Sequence, residues 1–432
     1  MPHTSLRLLL VLTEFPPRIG GMQTHAAHLA RTLVARGHTV EVLTYRVSTR
    51  IERADAPAYD AALPYRVHRA LTRISHAHNL DLIEAHVTRF NPDVMYASTV
   101  FYGEIRARCG VPVVARSVGN DVLRPWIVYP FRPLARLVST RWFEDRAYRF
   151  FRSLDYPERL EAVWRAARRR RMVASARCHS AILANSEFTE GLLHDIGVAA
   201  TRVRRVIGGV DASRFADRKP ADKARLRAAY GIDPDAWLLL TACRLVKKKG
   251  VDFLIDSMAR VRGAIPHAHL LIVGSGKEFK RLRKRAARTE TAEHITFAGR
   301  VPHTAVADLY GMADVFVLAS RVWIDPSTGL RDVETMGRVL CEANAAGIPV
   351  VAARSGGIPS VIDDGQNGLL FPPDDPDGLT RALVSLAGQP DLRGHLVTNG
   401  RRSARERFDW QHIVDAHEDT FVGVLNTVGG SQ

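Results

Sequence analysis

Cysteine is scarce in this chain, and no apolar run approaches the roughly 20 residues of a membrane span. The four cysteines, Cys109, Cys178, Cys243 and Cys341, lie far apart, with no Cys-x-x-Cys pair and no histidine cluster at ligand spacing. They read as reduced core side chains, and neither a disulfide framework nor a structural zinc is expected. The opening run Leu8-Leu-Leu-Val-Leu12 is too short to cross a bilayer, is followed by no small-residue cleavage site and enters a Pro/Gly turn. It reads as a first buried strand in a cytoplasmic protein. Short-period repeats and low-complexity tracts are also missing, which excludes solenoid and disordered classes. Lysine is absent from the first 210 residues, which nevertheless hold 31 arginines against 18 acidic residues, so most of the net charge of +16 belongs to the first half.

What is present is a globular composition, 46% hydrophobic, on 432 residues. That is too long for one ordinary core and implies two domains of roughly 200 residues each. Strand-like apolar runs alternate with amphipathic stretches twice over, the pattern of an α/β protein whose doubly wound parallel sheets carry helices on both faces. Strands are expected at 8–12, 39–44, 94–97, 111–115 and 181–184, and again at 238–242, 270–273, 295–298, 315–318, 350–353 and 369–371. The polar segment Phe215-Ala-Asp-Arg-Lys-Pro-Ala-Asp222 suits a linker between domains at 1–212 and 221–409, and 410–432 reads as a C-terminal helix. An insertion at about 125–175 is basic and aromatic. Residues 131–171 carry twelve arginines among Phe131, Trp142, Phe143, Phe150, Phe151 and Trp164, ending in Arg168-Arg-Arg-Arg171. Such a stretch either lies on an anionic membrane or acidic acceptor, or is a helical pair with core aromatics and solvated arginines. Nucleic acid is not an expected partner, because no recognised binding motif accompanies the charge.

The segment Glu334-Thr-Met-Gly-Arg-Val-Leu-Cys-Glu342 carries two glutamates eight positions apart. It reads as a loop and a helix start before the strand at 350–353. With a helix beginning near Gly337, its first amides form an anion site, Glu342 lies about 1.5 turns along, and Glu334 stays in the loop. That layout suits a sugar diphosphate, with each carboxylate accepting from hydroxyls; a surface helix with solvated glutamates is the plain alternative. Arg244 and Lys249 follow the strand ending near Cys243, where two cations could stabilise a departing diphosphate or form a solvated basic turn. Lys247 and Lys248 read as solvated. Gly20 and Gly21 follow the first strand, before a helix near Gln23, and permit close backbone approach to phosphate, though a bare turn needs the same residues. Gly274 and Gly276 read either as part of the same kind of ligand turn or as structural glycines. Ligands of doubly wound sheets bind outside the C-terminal strand ends, where all these residues fall.

Taken in order, Phe15-Pro-Pro-Arg-Ile-Gly-Gly21, Ala184-Asn-Ser-Glu-Phe-Thr189, Gly208-Gly-Val-Asp211, Arg244 to Gly250, Val273-Gly-Ser-Gly276, the Glu334 to Glu342 segment, Gly356-Gly-Ile-Pro359 and Asn367-Gly368 resemble the retaining glycosyltransferases of family 4 over nearly the whole chain. The resemblance implies the GT-B fold, two Rossmann-like domains facing across a cleft, with a C-terminal helix returning to the first. It also implies a nucleotide-sugar donor, with Glu334 on the transferred sugar and Glu342 on the ribose. Arg244 and Lys249 would stabilise the diphosphate in place of a metal, and Gly20 and Gly21 would approach it. Gly299, Arg300 and Val301 would seat the base, and the amides of Gly337, Arg338 and Val339 would assist the phosphates. No Asp-x-Asp motif stands near a nucleotide site, so neither a divalent ion nor a cofactor is expected. Retention, with same-face attack in which the leaving phosphate takes the acceptor proton, is a family implication.

Two departures limit the transfer of roles. The family's histidine before a Gly-x-Asp element is replaced in Arg116-Ser-Val-Gly-Asn-Asp121 by Val118, leaving Asn120 or Asp121 to contact sugar or acceptor, or Asp121 to cap a helix. The loop at 320–333 is longer than usual before Glu334, and its Trp323, Asp325 and Asp332 either shape a pocket or belong to a lid. A saccharide or lipid-linked acceptor at the inner membrane face suits the basic first half, in polysaccharide, lipopolysaccharide or glycolipid synthesis; a soluble acceptor stays open. An epimerase or phosphorylase of the same fold, and a non-catalytic carbohydrate- or membrane-binding scaffold, are the competing readings.

Overall fold

A computed structural model describes residues 5–17, 20–47, 50–72, 76–125, 158–216, 223–302, 305–326 and 329–429. The chain divides into two compact units, residues 1–206 with 414–432, and residues 207–413. The first holds β1 (Arg7–Leu12), β2 (Thr39–Tyr45), β3 (Arg66–Leu71), β4 (Val94–Ala97), β5 (Val113–Ser117), β6 (Ala181–Ala184) and β7 (Val203–Arg205). They form one parallel sheet in the order β3-β2-β1-β4-β5-β6-β7. Leu8, Leu9, Leu10 and Val11 are wholly buried, as a central strand covered on both faces requires. The two strands without a sequence signal, β3 and β7, are the sheet edges, where one missing neighbour leaves Arg66, Arg204 and Arg205 in water.

The second unit contains β8 (Trp237–Ala242), β9 (Ala268–Val273), β10 (Ile295–Gly299), β11 (Val315–Leu318), β12 (Trp323–Ile324), β13 (Arg331–Asp332), β14 (Val350–Ala353) and β15 (Leu369–Phe371). Six of them make a parallel sheet ordered β10-β9-β8-β11-β14-β15, and β12 with β13 forms an antiparallel hairpin. That hairpin is the structure of the long loop before Glu334. The expected linker begins inside this unit: Phe215 is buried, with its ring 5.8 Å from that of Tyr310. Residues 217–222 lie outside the described residues. The Gly208-Gly-Val-Asp211 motif is a seam within the unit, where the amides of Gly209 and Val210 both donate to the Phe408 carbonyl at 3.0 Å.

The C-terminal helix Trp410–Gly429 belongs to the first unit from Val414 onward. There Arg36 pairs with Asp415 at 2.7 Å and with Glu418. His38 Nδ1 accepts from the Leu6 amide at 3.1 Å, so its Nε2 carries the proton and donates to Glu418 Oε1 at 2.8 Å. Of the expected insertion, 126–157 and the Trp164 side chain lie outside the described residues. The helix Glu158–Cys178 sends Met172 and Ala176 into the core and leaves Arg169 and Arg170 exposed. Among the described residues no helix is long and apolar enough to cross a membrane.

Arg227 is a buried cation that closes three loose chain ends of the second unit. It donates to the carbonyls of Met312 (2.9 Å), Ala236 (2.9 Å) and Pro234 (2.5 Å) and pairs with Asp314 at 2.7 Å. Replacing Arg227 with Met is expected to lower the unfolding free energy by about 3 kcal/mol, read from urea denaturation, because the buried Met312 and Ala236 carbonyls lose their guanidinium donor and the half-buried Asp314 loses its counter-charge.

Candidate active site

In each sheet the strand order reverses beside the first strand, between β1 and β4 and between β8 and β11. The loops leaving two such strands diverge and leave room for a ligand at the carboxyl ends. In the second unit the loop after β8 carries Arg244 and Lys249, and the loop after β11 carries Glu334. The two loops meet: Lys249 Nζ pairs with Glu334 Oε2, both side chains nearly enclosed. Arg244 stands exposed beside them. Burial opposes ionisation of both paired groups. Even so, the Lys249 ammonium, with Lys248 behind it, holds the Glu334 carboxyl below its ordinary 4.5, and Glu334 holds Lys249 above its ordinary 10.5.

Lys248 departs from the expected solvated turn. It is buried, its Nζ donating to the Val333 carbonyl at 2.9 Å and pairing with Asp332 at 3.0 Å. The reason is the short helical turn Lys247–Lys249, which points consecutive lysines in different directions. Lys247 reaches Glu278 at 3.2 Å, Lys248 the root of the hairpin, and Lys249 Glu334. Backbone packing fixes Glu334 from the other side. Gly357 N donates to the Glu334 carbonyl at 2.8 Å, and a Cβ on Gly356, at φ +55°, would stand 2.2 Å from that oxygen. Gly274, at φ +134°, lies so close to the β8 loop that a Cβ would meet the Cys243 carbonyl at 1.9 Å, while its amide donates to Gly299 O at 2.7 Å. The loops after β8, β9 and β10 are thereby packed edge to edge, and Arg300 follows with an exposed side chain.

The helix after Glu334 runs Arg338–Ala346, and Gly337 occupies its cap position at φ +90°. Gly337 offers no side-chain cap and no acidic residue lies in the first turn, so the positive end of the helix dipole stands at Arg338 and Val339 with no carboxylate of that turn against it. Glu342 is buried on the same helix, with Arg338 Nε 3.4 Å from Oε1. Tyr310, wholly buried, donates to Glu342 Oε2 at 3.3 Å. Tyr310 escaped the sequence reading because an aromatic residue on an amphipathic helix signals core; only its hydroxyl marks it as a holder of Glu342.

The first unit holds the remaining predicted positions. Gly20 precedes the helix Gly21–Ala35, which starts two residues before the expected Gln23, and the Thr24 amide donates to the Gly20 carbonyl at 2.9 Å. Asp121 is buried and turned inward, accepting from Ser117 Oγ at 2.7 Å and from the Val100 amide at 3.2 Å. Burial pushes its pKa above the ordinary value. Gly119, not Asp121, stands at the cap of the helix Asn120–Leu123, because Asp121 is already inside the first turn. The Asn185-Ser186-Glu-Phe-Thr189 motif is a helix cap, with Ser186 Oγ accepting from the Thr189 amide at 3.1 Å. Two Asp-Pro-Asp triplets are present, and both are turns: Asp233 accepts from the Asp235 amide at 2.8 Å, and Asp375 caps the helix Pro376–Gly388. A cavity of about 730 Å³ opens near the opposite strand ends, lined by Trp237, Asp314 and Pro349, and shares no residue with this site.

The charged pair makes the site insensitive to pH across a wide range. Glu334, with a depressed pKa, contributes stability that is complete above its ordinary 4.5 and lost as pH falls through the lower folded value. Lys249, with a raised pKa, contributes stability that is complete below 10.5 and lost as pH rises through the higher folded value. The difference in unfolding free energy between wild type and the double variant Glu334→Gln/Lys249→Met is therefore expected to stay flat from about pH 5 to about pH 10 and to change only beyond those limits. A slope centred near neutrality would contradict the pairing.

Residues 19–214 match the family model described as Glycosyltransferase Family 4, and residues 222–403 match that of Glycosyl transferases group 1. Over 203 residues the chain is 36% identical to the GDP-mannose-dependent alpha-(1-6)-phosphatidylinositol monomannoside mannosyltransferase of Mycolicibacterium smegmatis. That alignment covers 47% of this chain and 52% of the relative, so the chain spans about half the length of that protein. Over 415 residues it is 27% identical to the GDP-mannose-dependent monoacylated alpha-(1-6)-phosphatidylinositol monomannoside mannosyltransferase of Corynebacterium glutamicum, with 94% of this chain and 95% of the relative covered. Among solved structures the fold is shared with Anabaena Alr3699/HepE in complex with UDP, at a TM-score of 0.71 and 20% identity over 97% of this chain and 100% of that one. WaaG, a glycosyltransferase involved in lipopolysaccharide biosynthesis, superposes at 0.63 with 18% identity, over 96% of this chain and 100% of that one. Two family models share the chain between them, one for each parallel sheet and in the same order, so the chain belongs to the group 1 glycosyltransferases of family 4, with the GT-B fold.

Proposed function

We propose that the protein transfers a mannosyl group from GDP-mannose to a hydroxyl of a glycolipid with a phosphatidylinositol-type head, with retention at the anomeric carbon and without a required divalent ion. The observation that carries the reading is the enclosed Lys249 and Glu334 pair beside Arg244 at the switch point of the second sheet. The donor and acceptor classes follow the names of the mycobacterial and corynebacterial relatives. In the proposed step the bond between the anomeric carbon and the diphosphate oxygen breaks, and its electron pair leaves with the phosphate. The acceptor oxygen forms the new bond on the same face and gives its proton to the departing phosphate oxygen. Arg244 and the remaining N–H bonds of Lys249 face the charge that grows on the leaving group, and the positive end of the helix Arg338–Ala346 shares it. Glu334 keeps lone pairs for sugar hydroxyls while Lys249 fixes its position, and Glu342 accepts from the ribose. Gly299 and Arg300 border the base. The exposed arginines Arg169 and Arg170 favour an anionic bilayer as the setting of the acceptor, at the inner membrane face.

The purified protein, given UDP-, GDP- and ADP-sugars with a chelator, is expected to release GDP from GDP-mannose, faster with phosphatidylinositol monomannoside in vesicles. Release from only UDP- or ADP-sugars would remove mannose from the reading, and neither release nor nucleotide binding would remove transfer. Glu342→Ala is expected to raise the donor KM about tenfold or more with kcat little changed. Lys249→Ala is expected to lower kcat by about 100-fold to 1,000-fold, both from initial rates.

A further inference from the structure

Three ligand-type side chains from separated parts of the first unit converge on one point, far from one another in sequence. Among the described residues, Glu41 on β2, His68 on β3 and His86 on the helix His76–Phe90 are the one group of this kind, with ligand atoms all within 4.8 Å of one another. Strand register explains the meeting. His68 pairs with Leu43, which lies two residues from Glu41, so Glu41 and His68 share one face of the sheet. His86 and Arg89, three positions apart on the helix, face the same spot. Glu41 Oε2 is 2.7 Å from His86 Nε2 and 3.2 Å from His68 Nε2, and the imidazole rings meet edge to face at 4.6 Å.

A cation already stands among them. Arg89 Nη2 is 2.9 Å from Glu41 Oε2, 3.0 Å from His86 Nε2 and 3.5 Å from His68 Nε2. Two imidazole nitrogens and a carboxylate oxygen are thus arranged around a single positive centre. The Arg89 side chain is 53% exposed, whereas those of Glu41 and His86 are 10% exposed. The guanidinium can therefore swing into water while the other three stay fixed by strand and helix. Two nitrogens and one oxygen are the donors of a zinc-class ion, with a water completing four-coordination. Bonds of 2.0–2.2 Å in a tetrahedron place neighbouring donors about 3.3–3.6 Å apart, so a bound ion would hold His68 where it stands, 3.2 Å from Glu41, and move His86 out from 2.7 Å by somewhat more than half an ångström.

We propose that Glu41, His68 and His86 bind one zinc-class divalent ion, which displaces Arg89 to solvent and ties the edge strand β3 to β2 and to the helix His76–Phe90. The role is structural and independent of the sugar-transfer reading. Cobalt(II), whose visible absorption reports its coordination, is the probe for the full chain. One equivalent is expected to give a saturable band of low coordination number without a thiolate band, competed by zinc. His68→Ala and His86→Ala are each expected to weaken binding about 30-fold or more. Arg89→Ala is expected to tighten it about tenfold by removing the competing charge. Zinc is expected to raise the melting temperature of wild type but not of His86→Ala. No saturable band, a thiolate band that survives in His86→Ala, or weaker binding by Arg89→Ala would each overturn the proposal. The last variant changes a half-exposed residue and predicts a gain, so misfolding cannot imitate its expected result.

Discussion

The ion pair between Lys249 and Glu334 is the constraint on which the rest of the second unit's loop edge depends. Either charge alone, this deeply enclosed, would cost several kcal/mol, so each loop can hold its charged residue inside only if the other loop brings the partner. The pair therefore fixes the distance between the loops after β8 and β11, and the neighbouring contacts follow from that distance. Lys248 is drawn to the Val333 carbonyl and Asp332. Arg321 N donates to Lys248 O at 2.8 Å, and its guanidinium spans Asp252 and Asp374 at 2.7 Å each. Gly356 must lack a side chain because the Glu334 carbonyl has been brought against it.

Glu334 and Glu342 are held by different physics. The first lies in a loop and owes its position to an opposite charge and to the Gly357 amide. The second lies on a helix and owes its position to helical geometry, with Tyr310 and Arg338 at its oxygens. A loop carboxylate set by electrostatics can share its partner with an arriving anion. A helix carboxylate backed by a buried tyrosine is a fixed acceptor. The two glutamates thus suit different tasks, adjustment near the reacting bond and steady grip further away.

Much of this was legible in the sequence because interior parallel strands are continuous apolar runs: β4, β6, β11 and β14 fall where the runs stand. The edges β3 and β7 were not, since Arg66-Val-His-Arg-Ala-Leu71 and Val203-Arg-Arg205 are half in water and carry no such run. Arg244, Lys249, Glu334 and Gly337 could be placed on loops and a helix start from turn chemistry and spacing, and the structure brings them to one strand edge. Lys248 could not be told from its neighbours, because direction within a single helical turn depends on the loop's path. Asp121 looked like a cap or ligand because its burial follows from β5 passing beside Val100, a tertiary fact. Glu41, His68 and His86 were invisible for the same reason: sheet register, not chain spacing, makes them neighbours.

The hairpin of β12 and β13 is anchored at its root, where Asp332 meets Lys248 and Arg321 is clamped, while Val322 and Ile324 on one face stay 44% and 59% exposed. Substitutions at the exposed Val322 and Ile324 would fall outside those anchoring contacts. They would leave the backbone at Val333 and Glu334 where it is. The exposed face of β12 is therefore a place where side chains can change while the charge pair beneath keeps its geometry.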